Sequence, residues 1–484
     1  MQQIKQNYIL FSLTALFIAL NAYFWFDGNL FFNFIPVALI FLYIGVFYPK
    51  TLYLIVVFFT PISINIEEFN DGVVGLFLPT EPLLVGLMIL IILRELTTKT
   101  LDREFWRHPI SISLIFYLLA IFITALFSTD MKVSFKFLLM KSWYIIPLLT
   151  FGYLIFKDKS KIVTFLWCWV TSMTIVIIYT VIRHSSYGFG EAEGHWVMEP
   201  IFKDHTIYGA AVAIQVFFLL ALLLYRKKDT KLQFLLLLFF IIALVGLYFS
   251  YTRGAWISVA LTVGVWFLIR FKINIKLLIL VGLLLGSIVY VSWDQIEIAL
   301  ARNTNEHTTT KFDERLSSAA NITTDASNLE RLNRWSAAWE MFKEKPIVGF
   351  GPGMYAFEYA PYQSSENLTI ISTNLGDKGN AHSEYLGPLS EMGIIGFVSV
   401  IVFVFTLFYC GITLLHDIKK YTPEDKELYV LIFGVILALS TYFLHGFINN
   451  YLDSDKAAVP VYASAAIIIA QQVVLRRKIM KGAK

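Results

Sequence analysis

Four short stretches carry residue types suited to chemistry at a charged oxygen. In "NAHSEYLGPLSEMGIIGF", residues 380–397, His382 stands directly before a long apolar run. Imidazole titrates near neutral pH, so it can take a proton from a hydroxyl, and it serves equally as a structural hydrogen-bonder. Glu384 and Glu391 stand where they can orient that ring or cap the following helix. In "YTRGAW", residues 251–256, Arg253 lies between two apolar runs with no acid adjacent. Such an arginine either snorkels to the membrane interface or binds an anion, since a planar guanidinium suits phosphate oxygens. Gly254 would let backbone and ligand approach closely. In "ERLNRW", residues 330–335, Arg331 and Arg334 are three apart and neighbours on one helix face. They read as an anion site or as a solvated basic face balanced by Glu330, Glu340 and Glu344. In "FKDHTIYGA", residues 202–210, Asp204 and His205 open an apolar run, either as a helix cap or as a polar contribution to an outer cavity.

Other chemistries lack their signatures. The chain has no Walker A sequence, no GxGxxG after a strand, no HExxH and no GxSxG. Its eight histidines are scattered without metal spacing, so neither a metal nor a cofactor is expected. "DSD" at 453–455 has the form of a metal–diphosphate Asp-x-Asp motif, but short acidic matches are common and a solvated outer loop is the default reading. No basic stripe interleaved with aromatics points to nucleic acid. Cys168 and Cys410 fall inside apolar runs and read as core thiols.

The elements that must position these residues are membrane spans. Of 484 residues, 57% are hydrophobic and only 15% charged. Apolar runs of about 20 residues recur along the chain, the length that crosses about 30 Å of hydrocarbon as a helix. The expected fold is an all-α polytopic membrane protein with about 12–14 transmembrane helices and one large periplasmic loop containing amphipathic helices. About fourteen runs are recognised: 8–26, 30–47, 51–66, 81–93, 109–127, 138–156, 162–182, 206–225, 232–250, 255–269, 277–293, 386–415, 428–447 and 458–475. No cleavage site of the A-x-A type follows the first, which reads as a retained anchor. The 386–415 run exceeds one span, so its beginning should be an interfacial turn.

Every second connection is basic, as at 157–161, "RKKDTK" (226–231), "RFKINIK" (270–276) and the tail "RRKIMKGAK" (476–484). By the positive-inside rule both termini are cytoplasmic. The chain then divides into an N-terminal bundle of about eleven spans (1–293), a periplasmic loop (294–385), and about three C-terminal spans with a basic cytoplasmic tail (386–484). Within the loop, Leu332, Trp335, Ala338, Trp339 and Phe342 have i, i+3, i+4 spacing and predict an amphipathic helix ended by Pro346. Residues 303–330 and 363–380 read as polar loop.

In this order and on this side, the motifs resemble those of the bacterial O-antigen ligase/O-unit polymerase superfamily. The resemblance covers about 200–400. The ligase signature is matched by His382, Ser383, nine residues, Gly393, two residues and Gly396. "TRGAW" is similar to the family's Ser-Arg-Gly turn, with Thr252 in the serine place. "ERLNRW…KPIVGFGPG" is similar to its Arg-x-x-x-Trp helix and following Pro-x-x-Gly-x-Gly, which selects Arg331 over Arg334. Asp204–His205 departs from the family's Asn-containing opening of that span, and the span count exceeds its usual twelve or so.

The resemblance implies an inverting, metal-independent glycosyltransferase of the bacterial inner membrane. Its donor would be an undecaprenyl-diphosphate-linked glycan. Its acceptor would be a hydroxyl of lipid A–core, of another glycan repeat unit (a polymerase), or of a protein (an O-oligosaccharyltransferase). His382 would be the general base, and Arg253 and Arg331 would bind the diphosphate. Arg334, Glu384, Asp204 and His205 would support them. Two further readings compete: a metal-dependent transferase using "DSD", and a lipid-linked glycan transporter or flippase. The latter is disfavoured by spans that look nearly charge-free.

Overall fold

The computed structural model describes residues 2–26, 31–69, 75–225, 230–271, 326–363 and 379–482, with isolated positions between 272 and 325. The run at 277–293, most of the 303–330 stretch and residues 364–378 lie outside the described residues. The chain is helical almost throughout: α1 (Gln2–Phe26), α2 (Ile35–Phe47), α3 (Pro49–Phe59), α4 (Thr80–Thr98), α5 (Arg103–Trp106), α6 (Pro109–Ala125), α7 (Met131–Ile155), α8 (Lys159–Ser185), α9 (Glu191–Gly194), α10 (His205–Tyr225), α11 (Thr230–Tyr248), α12 (Arg253–Phe271), α13 (Ala326–Glu344), α14 (Tyr355–Glu358), α15 (Leu386–Tyr421), α16 (Lys426–His445) and α17 (Asp455–Gly482). A two-residue antiparallel pair, β1 (Ile64–Asn65) with β2 (Phe77–Leu78), follows α3. Among the described residues, eight helices are long and apolar enough to cross a membrane: α7, α8, α10, α11, α12, α15, α16 and α17. The earlier runs at 8–26, 30–47, 51–66 and 109–127 give shorter apolar helices.

Helix α17 is the axis of the bundle. Its "AAVPVYASAAIIIA" stretch, 457–470, is buried throughout, and it packs against α7 and α15. Small residues let helix backbones approach where lipid offers no hydrophobic drive. Helix α10, almost wholly buried, packs on α16, and α12 packs on the other side of α16. Helices α10, α12 and α16 therefore bring Asp204, Arg253 and His445 to one end of the bundle.

The "DSD" motif is only partly the solvated loop expected: Asp453 is exposed, whereas Asp455 is buried. Lys141 of α7 pairs with Asp453, while the Asp455 carboxylate accepts from the Ser63 and Thr80 hydroxyls at 2.5 Å each. The adjacent Lys456 ammonium is fully buried and donates to the carbonyls of Thr60 and Ser63, both at 2.7 Å. Glu81, at the start of α4, accepts from the Tyr144 hydroxyl. So the bundle is not charge-free, as the apolar runs suggested. Glu81, Asp455 and Lys456 sit at helix starts and Lys141 lies within α7, each turned to a partner, because an unpaired buried charge is costly.

The expected turn at the head of the 386–415 run is a kink inside α15 at Gly393, with φ 61° and ψ −155°. This region of backbone space is essentially glycine-only. The freed amide of Ile394 donates to the Pro346 carbonyl at 2.9 Å, and a Cβ on Gly393 would meet the Ile347 carbonyl carbon at 2.5 Å. The kink thus docks the first turns of α15 on the loop that follows α13. Helix α13 itself begins at Ala326, inside the stretch read as polar loop. Its buried face runs through Asn333, Arg334, Ala337, Ala338 and Met341, while Trp339 is 49% exposed. The apolar spacing read from the sequence is therefore displaced. A buried Glu330–Arg334 pair holds the inward face, and Trp339 and Phe342 pack together at 5.3 Å.

Gly393→Ala is expected to destabilise the protein by about 2–4 kcal/mol, combining the forbidden backbone region with overpacking. Unfolding in detergent monitored by intrinsic fluorescence reads this out; a wild-type midpoint would contradict it.

Candidate active site

His382 lies on the segment between α13 and α15, with φ +46°. A non-glycine residue is uncommon there, and the local contacts over-determine it. Its backbone amide donates to Asn380 Oδ1 at 2.9 Å. Two side chains of α13 grip the same segment: Arg334 Nη1 donates to the Asn380 carbonyl at 3.1 Å, and Trp335 Nε1 donates to the His382 carbonyl at 3.4 Å. Arg334 also pairs with Glu330 at 2.7 Å and lies 5.4 Å from the Tyr359 ring centre, and it is buried. It is a structural clamp on the histidine segment.

Arg331 projects elsewhere. It is half-buried, and its Nε donates to the Ile448 carbonyl at 3.3 Å, on the turn between α16 and α17. Burial lowers its pKa from the ordinary guanidinium value, with Tyr451 and Asp204 acting against the shift. Arg253, the first residue of α12, is close enough for its charge to act on Arg331, and both charges reach His205. The turn carrying Arg253 is fixed by Thr252, whose hydroxyl donates to the His205 carbonyl at 2.7 Å. A Cβ on Gly254 would strike the Ile448 side chain and come within 3.3 Å of the His445 ring, so this close approach requires glycine. His205 stacks on His195, ring centres 4.1 Å apart. Asp204 Oδ1 accepts from the amides of Thr206 at 2.7 Å and Ile207 at 3.1 Å, capping α10. Its charge also acts on Arg331 and His382, so it serves both readings made of it.

The structure therefore brings His382, Arg331, Arg253, His205 and Asp204 to one end of the bundle. His382 is held neutral: burial and then the charges of Arg331 and Arg334 push its pKa down to about 4. Neither glutamate orients the ring. Glu391 Oε1 accepts from the Tyr355 amide at 3.1 Å, and its carbonyl accepts from the Gly351 amide at 2.7 Å, bracing the "GFGPG" turn. Glu384 Oε1 accepts from the Tyr442 hydroxyl at 2.5 Å and from the amides of Tyr451 at 2.7 Å and Leu452 at 3.0 Å. Burial raises its pKa, against the pull of the Lys141 charge.

The residue that does meet the His382 ring is one the sequence did not single out. Asn449, buried on the α16–α17 turn, lies beside the imidazole and places Nδ2 2.9 Å from His445 Nε2. Both residues sit in a connection that reads from sequence only as acid-rich outer loop. Their one signal is a polar His-x-x-x-Asn at the end of an apolar run.

A helical bundle with cations and a neutral histidine gathered at one end defines the class: an all-α, multi-pass membrane protein with a polar cluster at one end of the bundle. Residues 238–401 match the family model described as O-antigen ligase. That match, over about a third of the chain, supports the O-antigen ligase-like superfamily that the motifs resemble. The match spans Arg253, Arg331 and His382 but ends before His445 and Asn449. An uncharacterized protein of Haemophilus influenzae is 25% identical over 221 residues, 45% of this chain and 52% of that relative. The chain therefore spans about half the length of that curated relative.

The two neighbouring arginines should respond differently to removal. Arg334→Ala removes the buried pairing with Glu330 and the hold on the Asn380 carbonyl, and is expected to cost about 3–5 kcal/mol of stability. Arg331→Ala loses its bond to the Ile448 carbonyl and is expected to cost less, about 1–2 kcal/mol. Unfolding midpoints of the two variants in one detergent check the ranking; equal losses would refute it.

Proposed function

We propose that this site transfers a glycan from undecaprenyl diphosphate to an acceptor hydroxyl by a single inverting displacement. The observation that carries the reading is the convergence of Arg253 and Arg331, from separate elements, beside a histidine kept neutral by its surroundings. The acceptor hydroxyl gives its proton to His382 as its oxygen attacks the anomeric carbon. The bond from that carbon to the diphosphate oxygen breaks, and its electron pair leaves with the diphosphate. Charge grows on that leaving oxygen, where the two fixed guanidinium groups already stand, and preorganised cations at a developing charge lower the barrier most. The lipid diphosphate carries the activation, so no nucleotide and no metal take part.

In this reading the site faces the periplasm of a bacterial inner membrane, with both chain termini cytoplasmic. The loop 294–385 forms the outer cover between an N-terminal bundle (1–293) and the C-terminal spans (386–484). A membrane-anchored donor reaches the site from the lipid side and the acceptor from the water side. Lipid A–core, a growing glycan and a protein hydroxyl all present the required nucleophile. Engagement of the two "DSD" carboxylates, Asp453 by Lys141 and buried Asp455 by Ser63 and Thr80, argues against the metal-dependent alternative.

Purified protein given an undecaprenyl-diphosphate glycan and each acceptor class in turn tests the reading. His382→Ala and Arg253→Lys should each lower transfer at least about 100-fold, and EDTA should not inhibit. Wild-type transfer by His382→Ala would overturn it.

The pH profile follows from the histidine. Protonation removes the base, so kcat/KM should fall on the acid side near pH 4, well below the ordinary histidine value of about 6.5. Bound diphosphate offsets the arginine charges that depress this pKa, so the acid limb of kcat should lie at higher pH than that of kcat/KM. Coincident limbs near 6.5 would contradict both expectations.

A further inference from the structure

Helix α13 is attached to the end of the bundle at both of its own ends. Near its start, Arg331 Nε reaches the Ile448 carbonyl at 3.3 Å, and just past its finish the Pro346 carbonyl accepts from the Ile394 amide at 2.9 Å. The helix therefore lies across the bundle end and does not stand away from it. Arg331, Trp335, Trp339 and Phe342 follow one another at spacings of four, four and three, so they share one helix face. The first half of that face rests on protein: Arg331 on the α16–α17 turn, and Trp335 on the His382 carbonyl at 3.4 Å. Among the described residues the second half stays open. Trp339 is half exposed and packs only edge to edge with the partly exposed Phe342, and Ile347, in the turn that follows, is 64% exposed.

The spans beneath fix the level of the lipid at this place. From Ile394 to Leu415, α15 runs 22 residues without a charged side chain, and His416, Asp417, Lys419 and Lys420 follow. At about 1.5 Å per residue this length is about 33 Å, one crossing of about 30 Å of hydrocarbon. Gly393 thus stands at the edge of the hydrocarbon, and Ile347 lies against it: a Cβ on Gly393 would meet the Ile347 carbonyl carbon at 2.5 Å. Beyond Gly393 the exposed side chains Ile394, Val398, Ile401 and Phe405 form a lipid-facing stripe. A second pair of span ends sets the same level. The turn after Ile347 is bonded to the α6–α7 connection, where the Thr129 amide donates to the Phe350 carbonyl at 2.9 Å and the Ser134 hydroxyl to the Pro352 carbonyl at 2.8 Å. Phe127, Met131 and Phe135 are exposed there beside exposed Lys132 and Lys136. Aromatic and cationic side chains mixed in this way belong to the headgroup level.

We propose that the open end of the α13 face is a lipid-binding surface: Trp339, Phe342 and Ile347 sit in the boundary between headgroups and acyl chains of the leaflet on the site's side, beside α15. The chemistry of the surface selects this partner. Phe342 and Ile347 have no side-chain hydrogen bond to offer, and Trp339 carries one donor on an apolar ring, the side chain enriched where hydrocarbon meets headgroups. A glycan calls for polar side chains around a stacking ring. Here the neighbouring side chain is aliphatic, and the apolar surface continues directly from Ile347 into the Ile394–Val398 stripe. Glu340 lies about 100° round the helix from Trp339 and marks the flank left to water. Its carboxylate pairs there with Lys343 at 2.6 Å. A helix with one apolar face at the interface and a charged flank above it is the usual form of an interfacial element. The assignment is independent of the transfer reading.

Nitroxide labels in the full-length protein test it. Trp339→Cys, Ile347→Cys, Ile394→Cys and Glu340→Cys are made singly in a chain carrying Cys168→Ala and Cys410→Ala, since these are its free cysteines. Each is labelled and reconstituted into vesicles of phosphatidylethanolamine and phosphatidylglycerol. Accessibility to oxygen, which concentrates in lipid, is compared with accessibility to a water-soluble nickel chelate. Labels at 339 and 347 should favour oxygen, as at 394, and report a depth of about 5–10 Å into the headgroup–acyl boundary, whereas the label at 340 should favour nickel. Nickel access at 339 and 347 equal to that at 340 means a face open to water, as a glycan platform would be, and overturns the proposal. Shielding of 339 and 347 from both reagents means cover by protein, as in a dimer of this chain, and overturns it as well. A second measurement needs no label. The tryptophan emission lost in Trp339→Phe should be the part quenched by lipids brominated near the glycerol end of the acyl chain. If that part is instead quenched by aqueous iodide and untouched by the brominated lipid, Trp339 faces water and the proposal fails.

Discussion

One carboxylate oxygen, Glu384 Oε1, takes three hydrogen bonds that join segments far apart in the chain. The Tyr442 hydroxyl comes from α16, and the amides of Tyr451 and Leu452 come from the turn before α17. Glu384 is two residues past His382, so the grip on that turn is also a grip on the histidine. Burying an acid is costly, and the cost here is offset by donors fixed in advance and by the Lys141 charge. The α16–α17 turn then becomes the meeting point of the site. Ile448 receives Arg331, Asn449 meets His382, and Gly254 packs against both Ile448 and His445.

Helix α13 performs two tasks with residues one turn apart. Arg331 faces the turn and the pocket, whereas Arg334 and Trp335 hold the backbone of Asn380 and His382. The Arg-x-x-x-Trp spacing thus has a mechanical reading. The i and i+4 positions share a face, and one supplies charge while the other fixes the segment that carries the base. Arg334, in between, is spent on Glu330 and Tyr359.

Much of the architecture was legible because membrane spans announce themselves by length and hydropathy. His382, Arg253 and Arg331 were legible because each is a polar residue at the edge of an apolar run or on an outer helix, where lipid makes polarity expensive. The resemblance selects Arg331 over Arg334, and in the structure Arg334 is buried against Glu330 while Arg331 bonds the Ile448 carbonyl. What periodicity missed was long-range. Glu384 looked like an orienter or a cap, and its partners lie 58 to 68 residues downstream. Asn449 was hidden for the same reason, since nothing local marks an asparagine as the neighbour of a histidine 67 positions earlier. "DSD" misled because two acids on either side of a serine say nothing of which way each will turn. The apolar stripe of α13 misled because a buried ion pair, not the tryptophans, occupies its inner face.

The break at Gly393 divides α15 into two mechanical bodies. Its first turns are bonded to Pro346 and move with the outer segment that carries His382, whereas the length beyond faces lipid through Ile394, Val398 and Phe405. The joint therefore separates the turns of α15 tied to the loop after α13 from the apolar length beyond it, so a tilt of that length need not displace the turns ahead of it.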